Sequence, residues 1–104
     1  MHHQSDSAVR FLVSVFIILL ISGCAAITAP VQEMSNARQT IQAARDAGAE
    51  IHAADSLKQA EQLLQQASQQ LDDGDYISAR SLAMKAKQQA MQARQSALQK
   101  KQNE

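Results

Sequence analysis

The sequence has few aromatic residues and little glycine, proline or cysteine. It contains no Trp, and its aromatic side chains are Phe11, Phe16 and Tyr76. A chain of about a hundred residues forms at most one domain, and one with so few large side chains cannot fill a deep globular core. Ten basic and ten acidic residues balance to a net charge of +0, which gives no reason to expect a nucleic-acid partner. Ala and Gln instead dominate after Pro30, a composition typical of helices that pack through small side chains.

Residues suited to catalysis or metal binding are also scarce. One His, His52, follows the single Cys, and no glycine-rich phosphate loop is present. With Glu50 and Asp55 nearby, His52 is a weak candidate for a ligand or general base, and we expect it to face solvent instead. The acidic turn at residues 72–75 lacks the spacing and the distant Glu of a calcium loop. The sequence therefore predicts no enzyme activity, no catalytic residue, no metal, no cofactor and no small-molecule substrate.

The one strongly apolar run lies near the N-terminus and ends close to the single Cys. Residues 11–22 carry no charge and follow Arg10. The run is shorter than the roughly twenty residues of a membrane-spanning helix, and it is typical of the apolar region of a secretory signal. The four residues at its end resemble the bacterial lipobox, in which aliphatic and small residues precede an obligatory Cys: Ile21, Ser22, Gly23 and Cys24. The resemblance implies cleavage before Cys24 and lipid modification of its thiol.

Two other interpretations of this segment stay open. Cys24 can be an ordinary buried Cys, because a free Cys often packs as a small hydrophobe, and residues 11–29 can form one uncleaved membrane anchor. The lipobox is favoured because it accounts for a lone thiol in an oxidising compartment. We then expect residues 1–23 to be a signal peptide and residues 24–30 a lipidated tether. The protein would face the periplasm from a bacterial envelope membrane, and Ala25, where inner-membrane lipoproteins carry a retention Asp, favours the outer membrane.

From residue 31 onward, apolar or small residues recur at alternating spacings of three and four, the repeat of an amphipathic helix. The pattern predicts an all-α fold: a small antiparallel hairpin or a three-helix bundle with Ala-rich coiled-coil packing, containing a tetratricopeptide-like helix pair. We expect helices over about residues 31–52, 56–72 and 76–101, then a frayed tail over residues 102–104. The inner positions of the first helix are Met34, Ala37, Ile41, Ala44, Gly48 and Ile51.

The two connections between these helices carry specific signals. Ser56 and Gln59 form a capping box, which predicts a break near residues 53–56; one long kinked helix across that point is the alternative. Gly74 supplies a left-handed position that ends the second helix, and Asp75 can cap the third. Because this second connection is short, we expect the third helix to fold back antiparallel on the second.

The third predicted helix carries three regular rows. Its inner row begins at Tyr76 and continues as the Ala seam, which consists of Ala79, Ala83, Ala86, Ala90, Ala93 and Ala97. A second apolar row, the outer seam, recurs every seven residues and consists of Ile77, Met84, Met91 and Leu98. A basic row with the same spacing, the basic stripe, consists of Arg80, Lys87, Arg94 and Lys101. We expect Glu61 of the second helix to approach Lys87 as an exposed ion pair.

The outer seam lies about a hundred degrees round the helix from the inner row, so the second helix cannot cover both. The first helix is the simplest cover for it, and another subunit or the membrane surface are the alternatives. Basic side chains beside Met and Leu suit an anionic lipid surface, because their stems can lie along apolar groups while their charges reach outward. The outer seam and the basic stripe together form the candidate interaction surface.

Several motifs of residues 34–95 agree with a known family. They are Ala-Gly-Ala at residues 47–49, "LxxAxxLLxxA" from Leu57, and "GDYxxAxxxAxxA" from Gly74 to Ala86. With these motifs the chain resembles the bacterial lipoproteins of the domain-of-unknown-function 4398 family. The last motif also resembles one helix of a tetratricopeptide-type repeat, although a stable stack needs about three repeats and the chain has room for about one and a half. The resemblance implies a cell-envelope lipoprotein with a small helical domain and no assigned activity.

These patterns lead to three hypotheses about function. The first is a non-catalytic, lipid-anchored helical adaptor that binds another envelope protein through the third helix. The second is a self-associating coiled-coil lipoprotein that links or spaces the outer membrane and the cell wall, and it resembles the major outer-membrane lipoprotein in this respect. The third is direct binding of anionic lipid through the basic stripe. The expected partners are therefore the membrane, through the N-terminal lipid, and an envelope protein or a second copy of the chain.

Overall fold

The computed structural model describes residues 2–25 and 28–104, with side chains placed at residues 6–18 and 28–104. These residues form α-helices and their connections, without a strand among them. The helices are α1 (His2–Ala25), α2 (Val31–Asp46), α3 (Ala49–His52), α4 (Ala54–Asp72) and α5 (Tyr76–Gln102). The all-α prediction is confirmed.

The first helix, α1, stands apart from the others. In the described part of the chain it does not pack against α2, α3, α4 or α5. Its apolar side chains are accordingly exposed, with Phe11 at 70% and Phe16 and Ile18 at 63%. No helix formed by the described residues is both long and apolar enough to span a membrane. The packed core of the described residues is built by α2 to α5.

The core is a three-helix bundle in which α5 packs against both α2 and α4. Two contacts fix the helix directions: Glu33 at the start of α2 meets Arg80 near the start of α5, and His52 of α3 meets Glu104 beyond the end of α5. The α2 helix therefore runs parallel to α5, and α4 runs antiparallel to both. This topology follows from two short connections, each of which reverses the chain.

The Ala seam is the centre of the bundle, and each of its six Ala residues is 0% exposed. At one end Ala83 packs with Met34 and Ala67, and toward the other end Ala90 belongs to a cluster that includes Leu57. Because methyl groups let helix backbones approach closely, α2 and α4 can both rest on this one face of α5. Tyr76, which was expected on the inner row, is 39% exposed. It is the first residue of α5, and α4, which ends at Asp72, does not extend far enough to cover it.

The first predicted helix ends earlier than expected, because Gly48 interrupts it. Gly48 has a φ of +90°, in the left-handed region that glycine adopts at helix ends, and its N–H donates to the Arg45 carbonyl at 2.9 Å. The predicted continuous helix over residues 31–52 is therefore wrong: α2 stops at Asp46 and α3 adds a single separate turn. The change of direction turns Ile51 outward to 83% exposure, so its expected place on the inner face is also wrong.

The connection between α3 and α4 has a break but no capping box. Ala53 has φ −149° and ψ 46°, which excludes one long kinked helix. Its carbonyl accepts the Leu57 N–H at 3.1 Å, so α4 begins at Ala54, two residues before the predicted start. Ser56 already lies inside the first turn, and no side chain caps the helix. The predicted capping box of Ser56 and Gln59 is therefore wrong.

The turn between α4 and α5 agrees with its prediction. Gly74 has a φ of +81° and donates to the Leu71 carbonyl at 3.1 Å, while the Asp75 N–H donates to the Gln70 carbonyl at 2.9 Å. This pair of bonds is the Schellman arrangement, which satisfies the last carbonyls of a helix. The Asp75 carboxylate then accepts the Ser78 N–H at 3.1 Å and caps α5.

Candidate interaction surface on the last helix

The outer seam is not covered by any other described part of the chain. Its four side chains are exposed to the extent of 81% for Ile77, 55% for Met84, 54% for Met91 and 39% for Leu98. The expectation that the first helix covers this row is wrong. The main part of that predicted helix, α2, packs on the Ala seam beside α4 and does not cover the outer seam.

Helix geometry explains both the exposure and its gradient. Each outer-seam residue directly follows a residue of the inner row, as Met84 follows Ala83, and so lies about 100° farther round the helix. A row with a spacing of seven also drifts by about 20° per heptad, because an α-helix has about 3.6 residues per turn. From Ile77 to Leu98 this drift carries the row toward the bundle, and the exposed fraction falls from 81% to 39%.

The middle of the outer seam borders a groove between two helices. Glu33 and Asn36 of α2 line one side of it, and Met84, Lys87, Gln88 and Met91 of α5 line the other. On the same face of α2, Thr40 and Ala43 continue at helical spacing and are half-buried. The Thr40 hydroxyl donates to the Asn36 carbonyl at 2.7 Å. The α2 wall therefore offers small, uncharged side chains beyond Glu33.

The four cations of the basic stripe differ in whether they contact another part of the bundle. The Arg80 guanidinium donates to Glu33 Oε1 at 3.2 Å and to the Thr28 carbonyl at 2.9 Å, so it fastens the segment before α2 to α5. The Lys101 stem lies over the turn between α2 and α3, where its Cε would be 3.5 Å from a Cβ at position 48. Lys87 and Arg94 are exposed and form no ion pair with a described residue. These two residues are accessible charges in the middle of the stripe.

The whole of α5 is basic. It contains no acidic residue between Tyr76 and Gln102, and its cations are Arg80, Lys85, Lys87, Arg94, Lys100 and Lys101. Like Arg80, Lys100 makes a hydrogen bond to another part of the bundle: its ammonium donates to the His52 carbonyl at 2.6 Å. The hydrogen bonds of Arg80 and Lys100 were not predicted from the sequence, since each joins residues about fifty positions apart. The remaining charges make a positive field along the exposed face of α5.

Two other predictions about charged residues are wrong. Glu61 accepts a hydrogen bond from Arg45 of α2 and does not pair with Lys87, because α2 lies along that side of α4. The His52 side chain is only 15% exposed, with Nδ1 3.5 Å from Glu104 Oε1, and so does not face solvent as expected. In the described ranges, no three His, Cys, Asp or Glu residues come together in a way that could hold a metal ion.

The predicted lipidation site lies at the end of α1. The helix backbone includes all four lipobox residues and continues to Ala25. Their side chains lie outside the described residues: Ile21, Ser22, Gly23 and Cys24. Of the predicted tether, the structure describes the backbone of residues 24–25 at the end of α1 and all of residues 28–30, which Arg80 holds through the Thr28 carbonyl.

Comparison with known families matches residues 32–104 to a family described as Domain of unknown function (DUF4398). The chain belongs to this family. The match covers nearly all of α2 and the whole of α3, α4 and α5, so the DUF4398 domain coincides with the packed bundle. No curated protein and no solved structure matches the chain.

Proposed function

We propose that this DUF4398 protein is a lipid-anchored helical adaptor of the bacterial envelope. It faces the periplasm from the outer membrane, binds another envelope protein and catalyses no reaction. The observation that carries the proposal is the exposure of the outer seam, from 39% to 81% of each side chain. Apolar residues in a row along one helix are the means by which helices dock into grooves or onto each other. Lys87 and Arg94 beside that row supply the electrostatic part of recognition.

The size of this surface suits a reversible contact. Complete burial of an exposed Leu, Ile or Met side chain is worth about 1.5–3 kcal/mol, and the four outer-seam residues begin partly buried, so their total gain is several kcal/mol. Association offsets much of that gain through lost translational and side-chain freedom. We therefore expect dissociation constants in the micromolar range, roughly −8 kcal/mol. Such an affinity suits an adaptor that is concentrated at a membrane by its own anchor.

The anchor is supported by the sequence around Cys24 and by the isolation of α1. A helix that exposes Phe11 and Phe16 to the extent of 70% and 63% and does not pack on the bundle needs apolar surroundings or removal. Insertion as a signal segment, then cleavage before Cys24, provides both in turn. Thr28 lies four positions after Cys24, a span of at most about 14 Å. Because Arg80 holds Thr28, the first turn of α5 would lie close to the membrane.

The anchor is tested by metabolic labelling with a palmitate analogue followed by membrane fractionation. We expect the native protein to carry the label and to sediment with membranes, because the Cys24 thiol is acylated. Cys24→Ala should lose the label and shift in mass by retention of residues 1–23. Met84→Gln, which leaves the lipobox intact, is the matched control and should behave as the native protein. Equal labelling of Cys24→Ala would contradict the lipid anchor.

The adaptor surface is tested by photocrosslinking in cells, with a benzophenone amino acid at position 91. We expect a discrete adduct with another protein, because Met91 lies in the middle of the exposed row. The same probe at Gln62, an exposed residue of α4, is the control and should give no such adduct. Identical products from both positions, or none from position 91, would contradict the proposal.

The self-associating spacer is a second candidate, because the seven-residue spacing of the outer seam is also the repeat of a coiled coil. Sedimentation equilibrium of residues 25–104, which contain the complete bundle, separates the two. A monomer across micromolar concentrations supports the adaptor. A stable dimer or trimer that Met84→Gln dissociates would place the spacer first.

A further inference from the structure

We propose that the occupant of the outer seam is an acidic amphipathic helix of another protein, lying along the groove between α2 and α5. The inference rests on the proposed adaptor function and adds the chemical class of the partner. It is argued from three features of the described residues: the heptad positions on α5, the charge of the groove, and the width of the apolar row.

The exposed face of α5 has the layout of one half of a coiled coil. If the outer seam occupies the d positions, the a positions are Ser81, Gln88 and Gln95, which are uncharged and exposed. The basic stripe then occupies the g positions, and Lys85 occupies an e position. Residues at e and g select partners, because they face the e and g residues of the neighbouring helix. A partner with Asp or Glu at those positions complements α5.

A second copy of the chain is a poor occupant for the same reason. Antiparallel pairing of two α5 helices would place Lys87 and Arg94 against the same cations of the other copy. Parallel pairing would bring Arg80 of one copy toward Lys85 of the other. Since α5 contains no acidic residue, it has no carboxylate that could form an ion pair with the cations of the other copy. The charge pattern therefore favours a different chain over self-association.

The groove itself is positive although a carboxylate lines it. Glu33, the acidic residue among the groove-lining side chains, is bonded to Arg80 at 3.2 Å and is thereby neutralised. Lys87 lines the groove and Arg94 follows one heptad later, both without an ion pair among the described residues. A carboxylate on the partner would meet these cations with little opposing charge.

A lipid surface fits the shape less well than a helix. Helices that lie in a membrane interface have a broad apolar face. The outer seam is one side chain wide, with Lys87 on one side and the polar Ser81 and Gln88 on the other. The α2 wall rises beside it at Asn36. A narrow apolar row at the edge of a groove accommodates a rod-shaped partner and not a plane.

The test uses the full chain in phosphatidylcholine nanodiscs and two synthetic helical peptides of about three heptads, with Leu at a and d. One peptide carries Glu at e and g, and the other carries Lys there. Fluorescence anisotropy of the labelled peptides gives their affinities. We expect the Glu peptide to bind at least about tenfold more tightly than the Lys peptide, and its affinity to fall with added salt.

Two variants and a control locate the binding. Met84→Gln with Met91→Gln should weaken the Glu peptide about tenfold or more, because these side chains supply the apolar contact. Lys87→Glu with Arg94→Glu should reverse the preference toward the Lys peptide. Lys58→Glu on α4, also exposed, makes one such charge reversal away from the groove and should leave the preference unchanged. Circular dichroism verifies the fold, and Lys87→Gln with Arg94→Gln replaces the reversal variant if that one unfolds.

Several outcomes would overturn the inference. Equal binding of the two peptides, no binding of either, or a preference unaffected by the charge reversal would each exclude an acidic helix at this face. Binding to lipid is tested by adding anionic phosphatidylglycerol to the nanodiscs. If that lipid alone protects Met91 from oxidation, the acidic helix would also be excluded as the occupant of the outer seam. A photocrosslinked protein at position 91 without any preference for the Glu peptide would leave the adaptor function standing and overturn only the acidic class of partner.

Discussion

Two faces of α5 carry the same kind of regular apolar pattern, yet only one is buried. The Ala seam is 0% exposed along its whole length, while Met84 and Met91, each one residue beyond a buried Ala, remain 55% and 54% exposed. On transfer free energy alone, Met and Ile would be buried before Ala. In this bundle the smaller side chains form the core, and most of the large side chains of α5 face water.

The difference shows that backbone approach decides which face is buried. Ala allows α2 and α4 to come close on adjacent sides of one helix, so many atoms of both helices are in van der Waals contact. Met and Ile at those positions would hold the helices apart. The outer seam can then be kept at the surface, and its size and flexibility suit a variable partner. The following changes test this division of α5, beginning with the largest expected effect.

Leu57→Ala should cause the largest loss of stability. Leu57 is 4% exposed in the core cluster beside Ala90, and removal of a buried Leu side chain costs about 2–5 kcal/mol. Ile51→Ala is the matched control, because Ile51 is 83% exposed, and it should change stability by about 0.5 kcal/mol or less. Urea unfolding followed by circular dichroism measures both. Equal losses would mean that Ile51 belongs to the core.

Ala90→Leu should destabilise the bundle although it adds apolar surface. Ala90 is 0% exposed, and extra methylene groups in a filled core cost about 1–3 kcal/mol. Gln92→Leu, two residues farther along the exposed side of α5, should change stability by about 0.5 kcal/mol or less. A stabilising Ala90→Leu would mean that the Ala seam is loosely packed.

Gly48→Ala should have an intermediate effect through the backbone. Position 48 has a φ of +90°, and an L-residue pays about 1–2 kcal/mol in the left-handed region. A Cβ there would meet His52 Cδ2 at 3.4 Å and Lys101 Cε at 3.5 Å, so contact adds little to this cost. Gly48→Asn should lose less, because Asn tolerates positive φ better than Ala. Equal losses for Asn and Ala would contradict the backbone explanation.

The double variant Met84→Gln with Met91→Gln should leave stability nearly unchanged, within about 0.5 kcal/mol, because both side chains are exposed. Its effect should be confined to binding, as a weaker affinity for the Glu peptide at the outer seam. Met34→Gln provides the comparison, since Met34 is 2% exposed and an unpaired buried amide costs about 1–3 kcal/mol. A large stability loss in the double variant would show that the bundle covers the outer seam.

Some features of the fold could be predicted from the sequence because they depend on neighbouring residues. The Ala seam follows from its spacing of three and four, and the turn at Gly74 and Asp75 follows from local backbone preferences. The break at Gly48 was missed because glycine fits the apolar row as well as it fits a helix end. That one break reverses the expected orientation of Ile51.

The candidate site depended on information that the spacing does not contain. Both apolar rows of α5 are regular, and the sequence alone could not decide which of them α2 would cover. The ion pair between Arg80 and Glu33 joins positions 47 residues apart, and no local sequence pattern predicts it. Arg80 therefore looked equivalent to Lys87 and Arg94, although only the latter two remain accessible.

The most direct test of the account is oxidation of the methionines by peroxide, followed residue by residue with mass spectrometry of the native protein at low concentration. Met34 is the internal reference because it is 2% exposed, whereas Met84 and Met91 are 55% and 54% exposed. We expect Met84 and Met91 to oxidise rapidly and at similar rates, and Met34 to react only when the bundle opens. Protection of Met84 and Met91 equal to that of Met34 would mean that another part of the same chain covers the outer seam, and it would contradict the proposed interaction surface.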